Sequence, residues 1–245
     1  MNIVVFGGAG WVGRPIVDNL SKNHEVRAFD IGPEAWASQG MWTGGEVVHG
    51  DIEDYSTVDQ ALEGMDAIVH VAVYFSSEPG AYGMDDQKPF LINLKGLWNV
   101  LEAARQRGIK RIVHIGSCQV VHPDGVFFSA DVRRPDGSLY AVTKRLQEEM
   151  CRQFYDAFGM SIVVLRPCSV IDAPLGIGKD GKKLENWGES WVCRHDIAEA
   201  CRLSVEKEEI EFEVLHVAGA PEADQYCNVK RTRDVLSMTF YGAPE

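Results

Sequence analysis

The chain has 245 residues, of which 45% are hydrophobic and 24% are charged, which is typical of one globular unit with a sizeable core. Its net charge of -12 argues against a nucleic-acid partner, because a phosphate backbone needs dense Lys and Arg. No apolar run approaches the roughly 20 residues that cross a bilayer, and no basic and apolar leader precedes the first predicted strand. We therefore expect a cytoplasmic protein without a membrane partner.

Six cysteines are scattered along the chain without a C-x-x-C spacing. In a sequence with these properties, that distribution favours reduced and mostly buried thiols over disulfides or a zinc site. We therefore predict no metal site.

Strands and helices alternate along most of the sequence. Ile3 to Phe6 is a continuous apolar run, as expected of a strand buried on both faces of a parallel sheet. The pattern then predicts a helix at 12–21, strands at 25–29 and 46–49, a helix at 56–63 capped by Asp54 or Ser56, a strand at 67–73, a helix at 87–107, a strand at 110–115, a helix at 140–158 and a strand at 161–165. This order predicts an α/β fold of the Rossmann type, with a doubly wound parallel sheet.

The last part of the chain is less regular. Residues 167–188 are rich in Gly, Pro, Lys and Asp and are predicted to form a loop. A helix near 196–206 and a strand near 212–217 are predicted to follow.

Three glycines lie between the first strand and the first helix. At Gly7, Gly10 and Gly13 a backbone without Cβ lets a pyrophosphate approach the N–H groups of the helix N-terminus. Asp30 ends the second strand, where a carboxylate accepts hydrogen bonds from both ribose hydroxyls of adenosine and repels a 2′-phosphate. NAD is therefore the expected cofactor, and Arg14 beside a phosphate leaves NADP as the alternative.

Tyr140 and Lys144 are one helical turn apart and share a face of their helix. An ammonium beside a phenol favours the phenolate and lowers the phenol's pKa. Tyr140 would then act as a general base in oxidation or a general acid in reduction. In isolation, an exposed helix pair would explain the spacing equally well.

Together and in this order, Gly7-Gly8-Ala9-Gly10-Trp11-Val12-Gly13 and Tyr140-Ala141-Val142-Thr143-Lys144 resemble the short-chain dehydrogenase/reductase superfamily. The GxxGxxG turn is similar to that of its extended branch, the NAD-dependent epimerase/dehydratase family. The resemblance extends from Met1 to about Val217. It implies an NAD-binding domain over residues 1–166, with the catalytic helix, and a short substrate-binding lobe over 167–245 in the same compact unit.

The resemblance also assigns roles to residues around the cofactor. Lys144 would bind the nicotinamide ribose as well as lower the pKa of Tyr140. The expected cofactor contacts are Gly7, Gly10, Trp11, Val12, Gly13, Asp30, Asp51, Ile52, Val71, Ala72, Asn93, Tyr140, Lys144, Pro167 and Cys168. Arg194-His195-Asp196 is similar to an H-x-D element of the family, which we expect to organise a loop rather than perform chemistry.

The third catalytic group is harder to assign. The family has a Ser or Thr after the fifth strand, and the matching position here is Cys118, preceded by Ser117. A thiol is a poor hydrogen-bond donor. Because neighbouring residues at a strand end point to opposite sides, we expect only one of the two to face the site. We favour Ser117 on chemistry, or Gln119 as a compensating donor.

Only 78 residues follow Pro167, which leaves little material for a nucleotide-sugar lobe and favours a small free substrate. Within its branch the chain resembles the uronate dehydrogenases around Arg134-Pro135-Asp136-Gly137, at 155–159 and at Ser190-Trp191. Those enzymes have Ser-Ser-Asn-His where this chain has Ser117-Cys118-Gln119-Val120. The expected substrate contacts are Ser76, Cys118, Gln119, Ser169 and Trp191, and the cations considered for a substrate carboxylate are Arg133, Lys182, Lys183 and Arg194.

The leading hypothesis is an NAD-dependent dehydrogenase that acts on a hydroxyl or hemiacetal carbon of a small sugar or sugar-acid-like substrate. The alternatives are an epimerase or dehydratase that retains NAD, and a non-catalytic NAD(H)-sensing protein. A homodimer is expected by resemblance, with the helices at 87–107 and 140–158 at the interface. Leu97, Leu101, Leu146 and Met150 could serve that interface or pack on the sheet.

Overall fold

The computed structural model describes residues 1–75, 87–121, 136–187, 190–225 and 227–241. Within these ranges the strands are β1 (Asn2–Phe6), β2 (Glu25–Asp30), β3 (Glu46–His49), β4 (Ala67–His70), β5 (Arg111–Ile115), β6 (Ser161–Pro167), β7 (Ser169–Asp172), β8 (Ile177–Gly178), β9 (Trp191–Cys193) and β10 (Phe212–Val217). Seven of these strands form a main sheet in the order β10-β6-β5-β4-β1-β2-β3, and every pair in it is parallel. The predicted Rossmann-type sheet is confirmed.

The α-helices in the described ranges are α1 (Gly13–Leu20), α2 (Tyr55–Ala61), α3 (Gly96–Arg107), α4 (Leu139–Phe158), α5 (Arg194–Glu206) and α6 (Val229–Leu236). Short 3₁₀ turns cover Pro33–Trp36, Cys118–Val120 and Pro221–Gln225, and a π-helical segment covers Pro89–Lys95. Among the described helices, none combines the length and the apolar character that a bilayer crossing requires.

Two hydrophobic layers cover the two faces of the main sheet. In β1 the side chains of Ile3 and Val5 pack in one layer, and those of Val4 and Phe6 pack in the other. The first layer is closed by α1 and α5, and the second by α2, α3 and α4. A strand buried on both faces needs apolar residues at every position, which explains the continuous apolar run in β1.

The structure departs from the sequence prediction in the helix at 87–107. Its first part is the π-helical segment Pro89–Lys95, and only Gly96–Arg107 is α-helical. In the π-helical segment the Asn93 Oδ1 accepts a hydrogen bond from the Tyr74 N–H at 2.7 Å, and its Nδ2 donates to the Tyr74 carbonyl at 3.2 Å. These contacts tie the start of the helix to the chain that follows β4.

The segment predicted as one loop after Pro167 also contains regular structure. β7 pairs with β8 in an antiparallel register and with β9 in a parallel register, which makes a second, three-stranded sheet. These strands are short, and β9 lies far along the sequence, so no local periodicity identified them. The chain then returns to the main sheet, because β10 is its edge strand beside β6.

Candidate active site

A cavity of about 590 Å³ opens at the carboxyl ends of the central strands, the position where doubly wound sheets bind ligands. Its lining contains most of the residues predicted from the sequence as site residues: Gly7, Gly10, Trp11, Val12, Gly13, Asp30, Asp51, Ile52, Val71, Ala72, Ser117, Cys118, Gln119, Tyr140, Lys144, Pro167, Cys168 and Ser169. The fold thus brings the glycine turn and the Tyr-Lys helix to one cavity, although they lie more than a hundred residues apart in the sequence.

Two glycines of the turn have no room for a side chain. Gly7 has a φ of +91°, and a Cβ on it would lie 2.7 Å from the Ala72 nitrogen. A Cβ on Gly13 would lie 1.9 Å from the Gly7 carbonyl oxygen. The turn can therefore fold against β4 and open α1 only with glycine at both positions.

Asp30 lies at the end of β2 and fixes the geometry of this turn. Its Oδ2 accepts a hydrogen bond from the Ala9 N–H, and its Oδ1 accepts one from the Ile31 N–H, both at 2.9 Å. The carboxylate also lines the cavity. Its remaining lone pairs are directed by these two bonds, so an incoming hydroxyl would meet an oriented acceptor.

Tyr140 and Lys144 project into the cavity from the first turns of α4. Ser138 caps this helix, because its Oγ accepts the Ala141 N–H at 3.3 Å. The Tyr140 ring meets the edge of the Phe75 ring at a centroid distance of 5.0 Å. Lys144 is buried, and its Nζ donates to the Ile115 carbonyl at 2.7 Å. The ammonium is therefore held at the end of β5, beside the cavity.

Burial lowers the pKa of Lys144 to about 8, and the nearby Glu148 carboxylate opposes this change. Glu148 itself forms a buried, two-pronged ion pair with Arg166, with Nε–Oε1 and Nη2–Oε2 distances of 2.8 and 2.6 Å. Burial thus disfavours the charged form of Lys144, and Glu148, one turn further along the same helix, favours it.

Two buried imidazoles lie beneath Lys144. The Nδ1 atoms of His70 in β4 and His114 in β5 are 3.1 Å apart, so that one donates and the other accepts. Burial, followed by the positive charge of Lys144, lowers the pKa of His70 to about 3 and that of His114 well below its usual value. Both rings are therefore neutral in the folded protein at neutral pH.

Ser117 and Cys118 both line the cavity, and the prediction that only one of them faces the nicotinamide stays a prediction. Ser117 is extended, but the chain enters a 3₁₀ turn directly after it, and strand alternation no longer holds. The Ser117 Oγ accepts the Gln119 N–H at 3.2 Å, which orients this hydroxyl.

Lys179 is the cation that the sequence analysis missed. It follows β8, lines the cavity, and places its Nζ 4.9 Å from the centre of the Phe75 ring. Partial burial lowers its pKa. Lys182, one of the four cations considered from the sequence, is highly exposed and pairs with Asp180 at 3.3 Å. The pairing of β7 with β8 decides which lysine of this stretch faces the cavity, and no local signal reports that pairing.

Two of the residues predicted as cofactor or substrate contacts lie outside the cavity lining. Asn93 is fully buried and outside the cavity lining, since its amide is engaged by the Tyr74 backbone and the Thr143 hydroxyl. Trp191 is buried beside Trp187 in the core of the second sheet. Ser76 and Arg133 lie outside the described residues.

The Arg194-His195-Asp196 element organises its surroundings, as predicted. Arg194 donates from Nε to the Asp172 carboxylate at 2.7 Å, and its guanidinium lies 4.1 Å from the centre of the Trp11 ring. The buried Asp196 accepts the Tyr241 N–H at 2.9 Å. Arg194 therefore connects the glycine turn to β7.

Comparisons with known proteins agree with this geometry. The model of the family described as "NAD dependent epimerase/dehydratase family" matches residues 3–209. The chain is 31% identical over 175 residues to a 3 beta-hydroxysteroid dehydrogenase/Delta 5-->4-isomerase of Mycobacterium tuberculosis, covering 69% of this chain and 46% of that protein. It is 32% identical over 179 residues to a uronate dehydrogenase of Agrobacterium fabrum, covering 70% of this chain and 62% of that protein.

A solved structure of similar fold is that of a mutant uronate dehydrogenase from Agrobacterium tumefaciens complexed with NAD. It has a TM-score of 0.80 and 25% sequence identity, and the match covers 99% of this chain and 85% of that one. The curated relatives are longer, and the aligned part of this chain spans about half to two thirds of their length.

Proposed function

Because this chain belongs to the NAD-dependent epimerase/dehydratase family, we propose that it is an NAD-dependent oxidoreductase. It transfers a hydride between nicotinamide and a hydroxyl or hemiacetal carbon of a small sugar or sugar-acid-like substrate. The observation that carries the proposal is that Tyr140 and a buried, anchored Lys144 line the same cavity as the glycine turn and Asp30.

The residues at the glycine turn fit NAD. The absence of side chains at Gly7 and Gly13 leaves backbone N–H groups open to a pyrophosphate at the start of α1. Asp30 supplies an oriented carboxylate for the ribose hydroxyls and repels a 2′-phosphate. Arg14, the alternative cue for NADP, donates to the Gly40 carbonyl at 2.6 Å and pairs with Asp18 at 3.4 Å. These contacts favour NAD.

Bound NAD supplies a hydride acceptor, and the chain supplies the proton chemistry. Tyr140 takes the proton of the substrate hydroxyl during oxidation and returns it during reduction. The Lys144 ammonium stabilises the phenolate form of Tyr140 and is kept charged by the Glu148 carboxylate. Ser117 orients the reacting oxygen with a hydroxyl that already accepts the Gln119 N–H.

The cavity wall beside Tyr140 favours a compact substrate with one anionic end. Val73, Phe75 and Val170 make this wall apolar, and Lys179 places a positive charge within it. The substrate contacts that we propose are Lys179, Cys118, Gln119 and Ser169, and the segment 167–245 acts as the substrate lobe. The relative named uronate dehydrogenase is consistent with a carboxylate substrate.

The decisive experiment follows NADH formation by the purified chain. Free uronic acids, neutral aldoses, polyols and a hydroxysteroid are each supplied with NAD and then with NADP. Signal that is confined to NAD and strongest with a sugar acid supports the proposal. NADH formation with the hydroxysteroid alone would show that the substrate is a steroid alcohol and not a sugar acid. Tightly bound NAD without net NADH formation would favour an epimerase or dehydratase. No NADH formation and no bound NAD would favour a non-catalytic protein.

We also propose a cytoplasmic homodimer that pairs through α3 and α4. Leu97 and Leu101 are fully buried against the sheet and are not available to a partner. Trp98 and Leu146 are 46% and 44% exposed on these helices, and an apolar surface of this kind supports a dimer. A monomeric mass in light scattering would overturn the dimer.

A further inference from the structure

Three thiols meet at the wall of the cavity, and the proposed hydride transfer uses no sulfur chemistry. Cys118 begins the turn after β5, Cys168 follows β6, and Cys227 precedes α6. The Cys168 Sγ lies 3.4 Å from the Cys227 Sγ and is also in hydrogen-bond contact with the Cys118 thiol. We call these three residues the thiol cluster. Cys151 and Cys201, by contrast, are fully buried in the layers of the main sheet.

The members of the thiol cluster differ in exposure. Cys118 is half-buried and lines the cavity, Cys168 is 8% exposed and also lines it, and Cys227 is buried behind them. A small reagent that enters the cavity therefore meets Cys118 first. Cys168 is the central sulfur, because it contacts both of the others.

Contact with Cys118 and Cys227, together with burial, raises the pKa of Cys168 well above its usual value. Cys168 therefore keeps its proton and is an S–H donor to its neighbours. A thiolate is the nucleophilic form of cysteine, and the half-buried Cys118 is the member of the cluster that a reagent in the cavity can reach as it ionises. The cluster thus joins an accessible nucleophile to a protonated thiol in direct contact.

We propose that the thiol cluster is an oxidative modification site, at which a hydroperoxide joins Cys118 and Cys168 in a disulfide. The Cys118 thiolate attacks one peroxide oxygen, the O–O bond breaks, and the other oxygen leaves as water or an alcohol after taking a proton. Cys118 is then a sulfenic acid. The Cys168 thiol gives its proton to the sulfenic oxygen as its sulfur attacks the Cys118 sulfur, so that the S–S bond forms, the Cys118 S–O bond breaks and water leaves. Two thiols are oxidised and one hydroperoxide is reduced.

The fold brings the two sulfurs together without a large rearrangement. Cys118 and Cys168 follow β5 and β6, which are paired neighbours in the main sheet. Closing a hydrogen-bond contact to a disulfide bond of about 2.0 Å requires a movement on the order of 1 to 2 Å.

The test treats the reduced chain with a small excess of hydrogen peroxide, then blocks free thiols by alkylation. We expect the intact mass to fall by two hydrogen atoms and peptide mapping to find Cys118 linked to Cys168, with dithiothreitol restoring both thiols. The Cys118→Ser variant should lose this link, and Cys227→Ser should keep it. Cys201→Ser is the matched control, since it removes a buried thiol outside the cluster and should also keep the link.

Three results would overturn the proposal. These are oxygen addition without a disulfide, a disulfide that excludes Cys168, and a first product that joins Cys168 to Cys227. Should Cys118→Ser fail to fold by circular dichroism, the peptide map of the unsubstituted chain decides. None of these readouts depends on catalytic activity, so the outcome is independent of the proposed function.

Discussion

The two ends of the cavity are formed by different kinds of chemical group. The glycine-turn end (Gly7, Gly13 and Asp30) consists of backbone and one carboxylate, all within the first 30 residues. The tyrosine end (Ser117, Tyr140, Lys144 and Lys179) consists of side chains from three separate segments: the chain after β5, the helix α4 and the chain after β8. A local turn makes the first end, whereas the second exists only when distant elements pack together.

The glycine-turn end recognises a cofactor that many enzymes share, whereas the tyrosine end recognises the substrate of one enzyme. A pyrophosphate and a ribose have the same shape in every dinucleotide enzyme, so one short motif can recognise them. A substrate differs from enzyme to enzyme, and its contacts lie on connections between strands. Substitutions at the two ends should accordingly separate cofactor affinity from turnover.

The largest effect is expected at the tyrosine end. Tyr140→Phe removes the proton-transfer group and should lower turnover by about 100- to 10,000-fold, the usual contribution of general acid–base catalysis. The dissociation constant for NAD, measured by isothermal titration calorimetry, should change little. Tyr155→Phe, on the exposed far part of the same helix, is the matched control. Turnover retained by the Tyr140 variant would remove this residue from the mechanism.

At the glycine-turn end, Asp30→Ala should weaken NAD binding by about 10- to 100-fold, because charge-assisted hydrogen bonds contribute roughly 1.5 to 3 kcal/mol each. Discrimination against NADP should fall at the same time, since the repulsive carboxylate is gone. Turnover at saturating NAD should be nearly unchanged. Glu25→Ala, at the opposite end of β2, serves as the control. An equal loss of affinity for NAD and for NADP would show that Asp30 only supports the fold of the turn.

Lys179→Met should raise the KM for an anionic substrate by about tenfold, which corresponds to the loss of one charge-assisted contact. The KM for a neutral analogue should move less. Lys182→Met removes an exposed lysine of the same stretch and should have no effect on either. Identical kinetics for the two variants would reject Lys179 as the substrate's cationic partner.

The smallest effect concerns Arg194, which connects the glycine turn to β7. Arg194→Gln removes the cation stacked on Trp11 and should weaken NAD binding by about two- to fivefold, the scale of a cation–π contact that contributes about 0.5 to 1 kcal/mol. Arg202→Gln, on the outer face of the same helix, is the control. An unchanged NAD affinity, followed through protein fluorescence, would separate Arg194 from the cofactor.

The sequence predicted the main sheet well because each of its strands has a local signature. Local signals of this kind depend on only a few neighbouring residues, and they include the apolar run in β1, the helix cap at Asp54 and the glycine after α4. The pairing of β7 with β9 depends on contacts between segments that are separated in the sequence. The burial of Trp191 in a core also depends on such packing, and the sequence left a core role and a substrate contact equally open for this residue.

The buried imidazoles of His70 and His114 make the folded state less stable in acid. In the unfolded chain a histidine takes up a proton near pH 6.5, whereas the folded His70 resists protonation until about pH 3. As the pH falls below 6.5, protons bind preferentially to the unfolded chain, and the free energy of unfolding should fall by up to about 1.4 kcal/mol per pH unit for each such residue. Urea unfolding at successive pH values would measure this slope. Acidification therefore destabilises the folded chain through two residues at the centre of the main sheet, so the core itself limits the pH range in which the protein stays folded.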